Sequence, residues 1–252
     1  ERLKTFGGTA SGHEPLREMF EGIDKVLKNQ IDPHLDPIVA DEKGYGKVRP
    51  IHILDIGNLI GANVVVGGVR RTAEIFLFDA DDNESLFAKY GINGIWTQDQ
   101  LDQHHKVGKR LENLGRKPAW FDDRDMGKQR EGINHRRMSN NSIAFTQKPN
   151  NDFMDLVFEM MQLDGEPGFV NLEVAAKRIV ASLGIENPTQ QYLDNIMHQI
   201  GLIPCVEVIL FSKNVCNLTT VNISAFVDDN GVLDREGLLR AQRFSARIGM
   251  RI

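Results

Sequence analysis

Cysteine is scarce in this chain, which has only Cys205 and Cys216 among 252 residues. Two cysteines are too few for a disulfide framework, so we expect a reducing, cytoplasmic environment. They also form no zinc signature, because no cluster of histidines stands beside them. His104 and His105 lie in a polar stretch and are predicted to be solvated. The sequence therefore predicts no metal site made of protein ligands.

Long apolar runs and a strong excess of charge are also missing. No stretch approaches the roughly 20 apolar residues that cross a bilayer, and no secretory signal is recognised. The formal net charge is −5, which does not indicate a nucleic-acid-binding surface. We therefore expect no membrane partner and no direct contact with nucleic acid.

The ends of the sequence suggest part of a longer protein. It starts at Glu1 without a methionine and stops within a helical pattern at Ile252. Helical patterns alternate with short apolar strands, which favours an α/β fold with the strands in one sheet or barrel. We expect residues 1–252 to be a single partial domain.

Both cysteines fall in one stretch, residues 201–227, together with Glu207. In an extended backbone, side chains two positions apart point the same way. The Cys205 thiol and the Glu207 carboxylate would then face one cavity, where they could act as a hydrogen-abstraction or acid/base pair. The alternative is a strand with one buried cysteine and one solvated glutamate, since free cysteine is among the most buried residue types.

Two glycine-rich segments are candidate phosphate sites. The first, residues 7–12, precedes a helix whose free N–H groups and dipole favour an anion. Ser11 and Glu14 have the spacing of a capping box, so the alternative is an ordinary capped helix. In the second, Gly67 and Gly68 precede Arg70 and Arg71, whose guanidinium groups bind phosphate in a bidentate manner. The alternative there is a glycine cap with solvated arginines.

The remaining pattern predicts elements rather than chemistry. Residues 84–90 and 99–114 are predicted to be helical, residues 138–145 a polar turn entering a strand, and residues 234–252 a final helix. Two helices have apolar residues at helical spacing, which we expect to be their buried faces: Ile53, Ile56, Ile60 and Val64 in the first, and Phe153, Leu156, Val157, Met160 and Met161 in the second.

Taken in order, these motifs resemble the catalytic subunit of ribonucleotide reductase. The resemblance is strongest to the adenosylcobalamin-dependent class, in its monomeric triphosphate-reducing form, and it covers nearly the whole chain as an internal part of a longer one. The segments that carry it are Gly8–Gly12, Asn58–Gly61, Val69–Ile75, Ser139–Ser142, Gly165–Gly168, Pro204–Glu207 and Cys216–Asn222.

The resemblance implies a ten-stranded α/β barrel with an inserted catalytic loop. Cys205 would become a thiyl radical that removes the 3′ hydrogen of a ribonucleotide, and Glu207 would act as base on the 3′ hydroxyl. Cys216 would be half of the redox pair, whose partner lies upstream in the family. Adenosylcobalamin would be the source of the radical.

Partners follow from the same resemblance. The substrate would be a ribonucleoside triphosphate, bound beside Gly8, Thr9, Ala10, Ser11 and Gly12. A deoxynucleotide effector would act through Gly67, Gly68, Arg70 and Arg71, and a thioredoxin-like protein would be the reductant.

One residue departs from the family pattern. Ile203 replaces the family's asparagine before Pro204, and an apolar side chain cannot hydrogen-bond a ribose hydroxyl.

A tight hairpin near residues 212–215 would hold the two cysteines roughly 20 Å apart, so the mechanism predicts that Cys205 lies on a loop instead. A nucleotide-binding relative without catalysis, or a barrel enzyme with another radical source, remain alternatives.

Overall fold

The computed structural model describes residues 12–65, 73–93, 97–122, 132–206, 208–211, 223–228 and 230–249. Its helices and strands in chain order are α1 (Glu14–Leu27), α2 (Pro50–Val65), β1 (Glu74–Phe78), α3 (Asn83–Leu86), α4 (Gln98–Asn113), β2 (Ser139–Phe145), α5 (Asn151–Asp164), β3 (Gly168–Asn171), α6 (Leu172–Ser182), α7 (Gln190–Met197), β4 (Ile200–Leu202), β5 (Ile209–Phe211) and α8 (Arg235–Gly249). Short 3₁₀ helices cover Asn134–Met138 and Ile223–Phe226.

The chain divides into two compact units, residues 1–209 and 210–252. In the first, β1, β2 and β3 form a parallel sheet in that order. A separate two-stranded sheet consists of β4 and β5, and the division between the units falls within β5. Helices connect the parallel strands, as this topology requires. The predicted α/β class is confirmed. The second unit contains α8 and the 3₁₀ helix before it.

Helices α4 and α5 pack against one face of the parallel sheet. In β2, Ile143 and Phe145 belong to the main hydrophobic core, together with α4 and α5 side chains such as Leu111 and Leu156. Asn140 lies between the buried Ser139 and Asn141 and is exposed. Because side chains alternate across a strand, Asn140 belongs to the face opposite this core. The sequence predicted a polar turn here, but the strand already begins at Ser139.

The buried face of α2 differs from the predicted one. Ile53, Ile60 and Val64 are exposed, whereas Leu54, Asp55 and Asn58 are buried. The prediction was wrong because polar residues on this helix are paired in the interior. For α5 the prediction is confirmed, with Phe153, Leu156, Val157 and Met160 buried and Met161 partly buried against the same core.

Two local predictions are also corrected. The cap residue of α1 is His13, not Ser11, and Glu14 begins the helix. His104 is buried rather than solvated: its ring stacks on Phe121 at 4.3 Å and its Nδ1 lies 2.9 Å from the Tyr90 hydroxyl. Aromatic packing therefore outweighs hydration at this histidine.

Among the described residues, no helix is both long and apolar enough to cross a membrane.

Candidate functional site

Cys205 lies in an exposed turn between β4 and β5. The N–H of Val206 donates to the carbonyl of Ile203 at 2.8 Å, and the N–H of Ile203 donates to the carbonyl of Val208 at 3.2 Å. The first bond closes a turn in which Pro204 and Cys205 are the central residues, and proline is favoured at the first of these positions. The thiol is therefore at the tip of a loop that hydrogen bonds hold together.

The backbone of this loop leaves the extended conformation directly after the cysteine. Val206 has φ of 63°, a left-handed conformation that is rare for a β-branched residue. Alternation of side chains in an extended strand therefore does not apply to Cys205. The interpretation of Cys205 as a buried strand residue is wrong, because the residue is exposed and lies in a turn. The predicted loop placement agrees with the observed turn.

The loop is joined to the parallel sheet by Asn140. The Nδ2 of this residue, second in β2, donates to the carbonyl oxygen of Pro204 at 2.7 Å. Since Asn140 belongs to the face opposite the main core, the cysteine turn lies against that face. In a closed barrel built from such strands, this face would be the interior one.

Most of the other predicted site residues lie outside the described part of the chain. Gly8, Thr9, Ala10 and Ser11 do, as do Gly67, Gly68, Arg70, Arg71, Glu207 and Cys216. The distance between the two sulfurs and the direction of the Glu207 carboxylate therefore stay predictions.

Gly12 is described, and its conformation explains why glycine is required there. Its φ is 82°, and a Cβ at this position would lie 2.7 Å from Oε2 of Glu14. A residue with a side chain would be strained by this positive φ, whereas the Glu14 side chain could move away from an added Cβ. Gly12 therefore supplies a left-handed backbone conformation just before the start of α1.

A network of amides fixes the first residues of β2. Asn58 of α2 accepts from the N–H of Ser139 at 2.9 Å, and its Nδ2 donates to the Ser139 hydroxyl at 2.9 Å. The Ser139 hydroxyl in turn contacts Oδ1 of Asn141 at 2.9 Å. All three residues are buried, so α2 sets the position of the strand that carries Asn140.

Behind this network lies a buried ion cluster. Arg136 is fully buried, and its guanidinium binds both oxygens of Asp55, at 2.6 and 2.8 Å. It also donates to Asp32 at 2.8 Å, and His135 Nε2 lies 2.7 Å from Asp55. Burial alone would raise the pKa of Asp55, but the hydrogen bonds from Arg136 and His135 hold it below its ordinary value.

Two further carboxylates lie at the same end of the sheet. Glu166, before β3, pairs with Lys89 at 2.7 Å, and Lys89 also donates to the Ser139 carbonyl. Burial raises the pKa of Glu166 despite the nearby ammonium group, and burial also raises the pKa of Glu74 in β1. One oxygen of each, Oε2, is buried without a hydrogen-bond partner.

This buried polar network was not predicted from the sequence, although a signal was present. His52, Asp55 and Asn58 recur every third residue on a largely apolar helix, and all three are buried. A polar stripe at helical spacing on an apolar helix indicates buried partners. The partners, Arg136 and Ser139, are about 80 residues away and could not be identified from local pattern.

No group of three or more metal-binding side chains is found within the described residues. The Cys205 thiol is exposed, so a cofactor bound beside the turn could reach it from outside the loop.

Comparison with known proteins identifies relatives over almost the whole chain. Over 249 residues it is 31% identical to the adenosylcobalamin-dependent ribonucleoside-triphosphate reductase of Lacticaseibacillus paracasei, covering 98% of this chain and 25% of that protein. The enzymes of the same name from Lactobacillus acidophilus and Lactobacillus leichmannii are 30% and 28% identical, and the match covers 98% and 96% of this chain and 25% of each relative. No protein-family model matches the chain, and no solved structure matches it significantly. The chain spans about a quarter of the length of these relatives, and over nearly all of its own length it is homologous to the adenosylcobalamin-dependent ribonucleoside-triphosphate reductases.

Proposed function

We propose that this chain forms part of a ten-stranded reductase barrel and carries the cysteine that becomes the substrate-activating radical. In this proposal the whole protein reduces ribonucleoside triphosphates to 2′-deoxyribonucleoside triphosphates. The observation that carries it is the Cys205 turn: an exposed thiol at the tip of a loop tied to the face of a parallel sheet opposite its core. The names of the relatives support the reaction class.

The chemistry assigned to Cys205 is transfer of a hydrogen atom. Its thiyl radical removes hydrogen from the 3′ carbon of the ribose, forming an S–H bond as the C–H bond breaks. Glu207 takes the proton of the 3′ hydroxyl, and a carboxylate can do so only within hydrogen-bond reach of it. Bound adenosylcobalamin would supply the initial radical. Part of its contact surface is expected in later strands of the family.

The electrons come from a dithiol that includes Cys216. The 2′ hydroxyl leaves as water, and the two thiols give up two electrons and two protons as they form a disulfide. Cys205 is not consumed, so it returns hydrogen to the 3′ carbon at the end of the cycle. A thioredoxin-like protein then reduces the disulfide.

Nucleotide recognition is proposed for the two glycine-rich segments. Gly8 to Gly12 would approach the substrate, and the positive φ of Gly12 is a backbone conformation that glycine adopts without strain. Gly67, Gly68, Arg70 and Arg71 would respond to a deoxynucleotide effector, since guanidinium groups suit phosphate.

Ile203 favours a second candidate, a nucleotide-binding relative without catalysis. Its half-buried, apolar side chain cannot hold a ribose hydroxyl. Its backbone N–H, by contrast, is used within the turn.

Turnover of the whole protein separates the two candidates. We expect formation of 2′-deoxynucleotide from a ribonucleoside triphosphate with adenosylcobalamin and a dithiol, and a loss of at least about a thousandfold in Cys205→Ala. Cys205→Ala should still bind nucleotide with an unchanged Kd. Nucleotide binding without turnover by the wild type would support the non-catalytic candidate instead, and Ile203→Asn would then be the variant to assay for recovered activity.

A further inference from the structure

Asn140 contacts the cysteine turn at the peptide group that directly precedes Cys205. Its Nδ2 donates to the carbonyl oxygen of Pro204 at 2.7 Å, across 64 residues of sequence. That oxygen belongs to the peptide group whose nitrogen is the backbone nitrogen of Cys205. Because a peptide group is planar, fixing its oxygen also fixes the direction from which Cys205 leaves the turn.

Among the residues that the structure describes, the other backbone hydrogen bonds of the turn are internal to it. The bonds from Val206 to Ile203 and from Ile203 to Val208 give the turn its shape. They do not determine where it lies relative to the parallel sheet. The Asn140 bond does, because it starts from a strand in the middle of that sheet.

Asn140 itself is held by its strand rather than by its side chain. Ser139 and Asn141 on either side are buried and hydrogen-bonded, so the backbone of β2 is fixed at this point. The Asn140 side chain is exposed and contributes nothing to the main core. Stability of the fold therefore does not explain an amide donor here, whereas the Pro204 carbonyl does.

We propose that Asn140 is a positioning residue that places Cys205 for hydrogen-atom transfer through the Pro204–Cys205 peptide group. The effect on turnover rests on the proposed reductase function, while the effect on the geometry of the thiol does not. Transfer over a misplacement of about 1 Å can be slower by a factor on the order of 100.

The test compares three variants in the whole protein. Asn140→Leu has a similar volume and no donor, Asn140→Gln keeps an amide donor, and Asn113→Leu places the same apolar residue on an exposed site at the end of α4. We expect Asn140→Leu to lower kcat about 10- to 100-fold with KM changed less than about twofold. Asn140→Gln should recover most of kcat, and Asn113→Leu should match the wild type.

A second readout does not depend on turnover. The rate at which iodoacetamide alkylates Cys205, followed by peptide mass spectrometry, reports how firmly the turn is held. Loss of one hydrogen bond should raise this rate about fivefold in Asn140→Leu, and not in Asn140→Gln or Asn113→Leu.

The two readouts distinguish failure of the inference from failure of the proposed function. Wild-type kcat and wild-type alkylation in Asn140→Leu would overturn the positioning role. Absence of turnover in the wild type would contradict the reductase function, and the alkylation rates would still decide whether Asn140 holds the turn. If Asn140→Leu is unfolded by circular dichroism, Asn140→Ser replaces it with the same expected results.

Discussion

Arg136 is a buried guanidinium whose charge is balanced by two aspartates from distant parts of the chain, Asp32 and Asp55. Removing one partner of a buried ion pair leaves a charge without compensation, which is far more destabilising than losing a surface pair. His135 also contacts Asp55, so Asp55 is the carboxylate that joins Arg136 to His135.

Asp55→Asn should lower the free energy of unfolding by about 3–5 kcal/mol at pH 7. The folded pKa of Asp55 is depressed, so its contribution is present above the ordinary aspartate pKa of about 3.9 and is lost as the pH falls through the folded value. The gap between wild type and variant should therefore narrow in acid. Urea denaturation at several pH values measures it.

Asp24→Asn is the matched control, because Asp24 forms an exposed pair with Lys28 on α1. Its effect should stay below about 1 kcal/mol. Equal losses in the two variants, or a gap that widens in acid, would contradict the account of the cluster.

At the scale of elements, α2 positions β2 through a single amide. Asn58 uses both ends of its side chain on Ser139 and also donates to the Leu54 carbonyl at 2.8 Å. The strand that carries Asn140 is thus set by a helix that comes about 80 residues earlier.

Asn58→Ala should destabilise the protein by about 2–3 kcal/mol, because it leaves the buried N–H and hydroxyl of Ser139 without this partner. Asn63→Ala, on the same helix at a half-buried position, should change stability by less than about 1 kcal/mol. Thermal and urea unfolding measure both. Similar values for the two variants would show that Asn58 does not set the strand.

The elements also show why part of the fold was predictable and part was not. The apolar spacing of α5 and the helical pieces that became α3 and α4 were visible locally, and the structure confirms them. The apolar stripe of α2 was misleading, since Ile53 and Ile60 are exposed while Asp55 and Asn58 are buried. Hydrophobicity alone cannot identify a buried face whose polar residues find partners far away in sequence.

Local spacing did not predict the surroundings of Cys205, whereas the resemblance to a known family predicted a loop there. Spacing suggested a strand that aligned Cys205 with Glu207, whereas the observed turn, with Val206 in a left-handed conformation, removes that argument. The resemblance predicted a loop at Cys205, in agreement with the observed turn. The hydrogen bond from Asn140 to Pro204 was not predictable, because a contact across 64 residues leaves no local pattern.

At the scale of the whole molecule, the chain corresponds to about a quarter of the length of its relatives. Activity is therefore a property to be measured on the whole protein. The described residues supply a sheet, a loop and a thiol, and the proposed chemistry assigns to that thiol a single event, removal of the 3′ hydrogen.

Release of tritium from a 3′-labelled ribonucleoside triphosphate, with adenosylcobalamin present, measures that event most directly. We expect release by the wild type and none above background by Cys205→Ala, with nucleotide binding retained in both. Release by Cys205→Ala at the wild-type rate, or no release by a wild type that binds the nucleotide, would contradict the assignment of Cys205 as the radical cysteine.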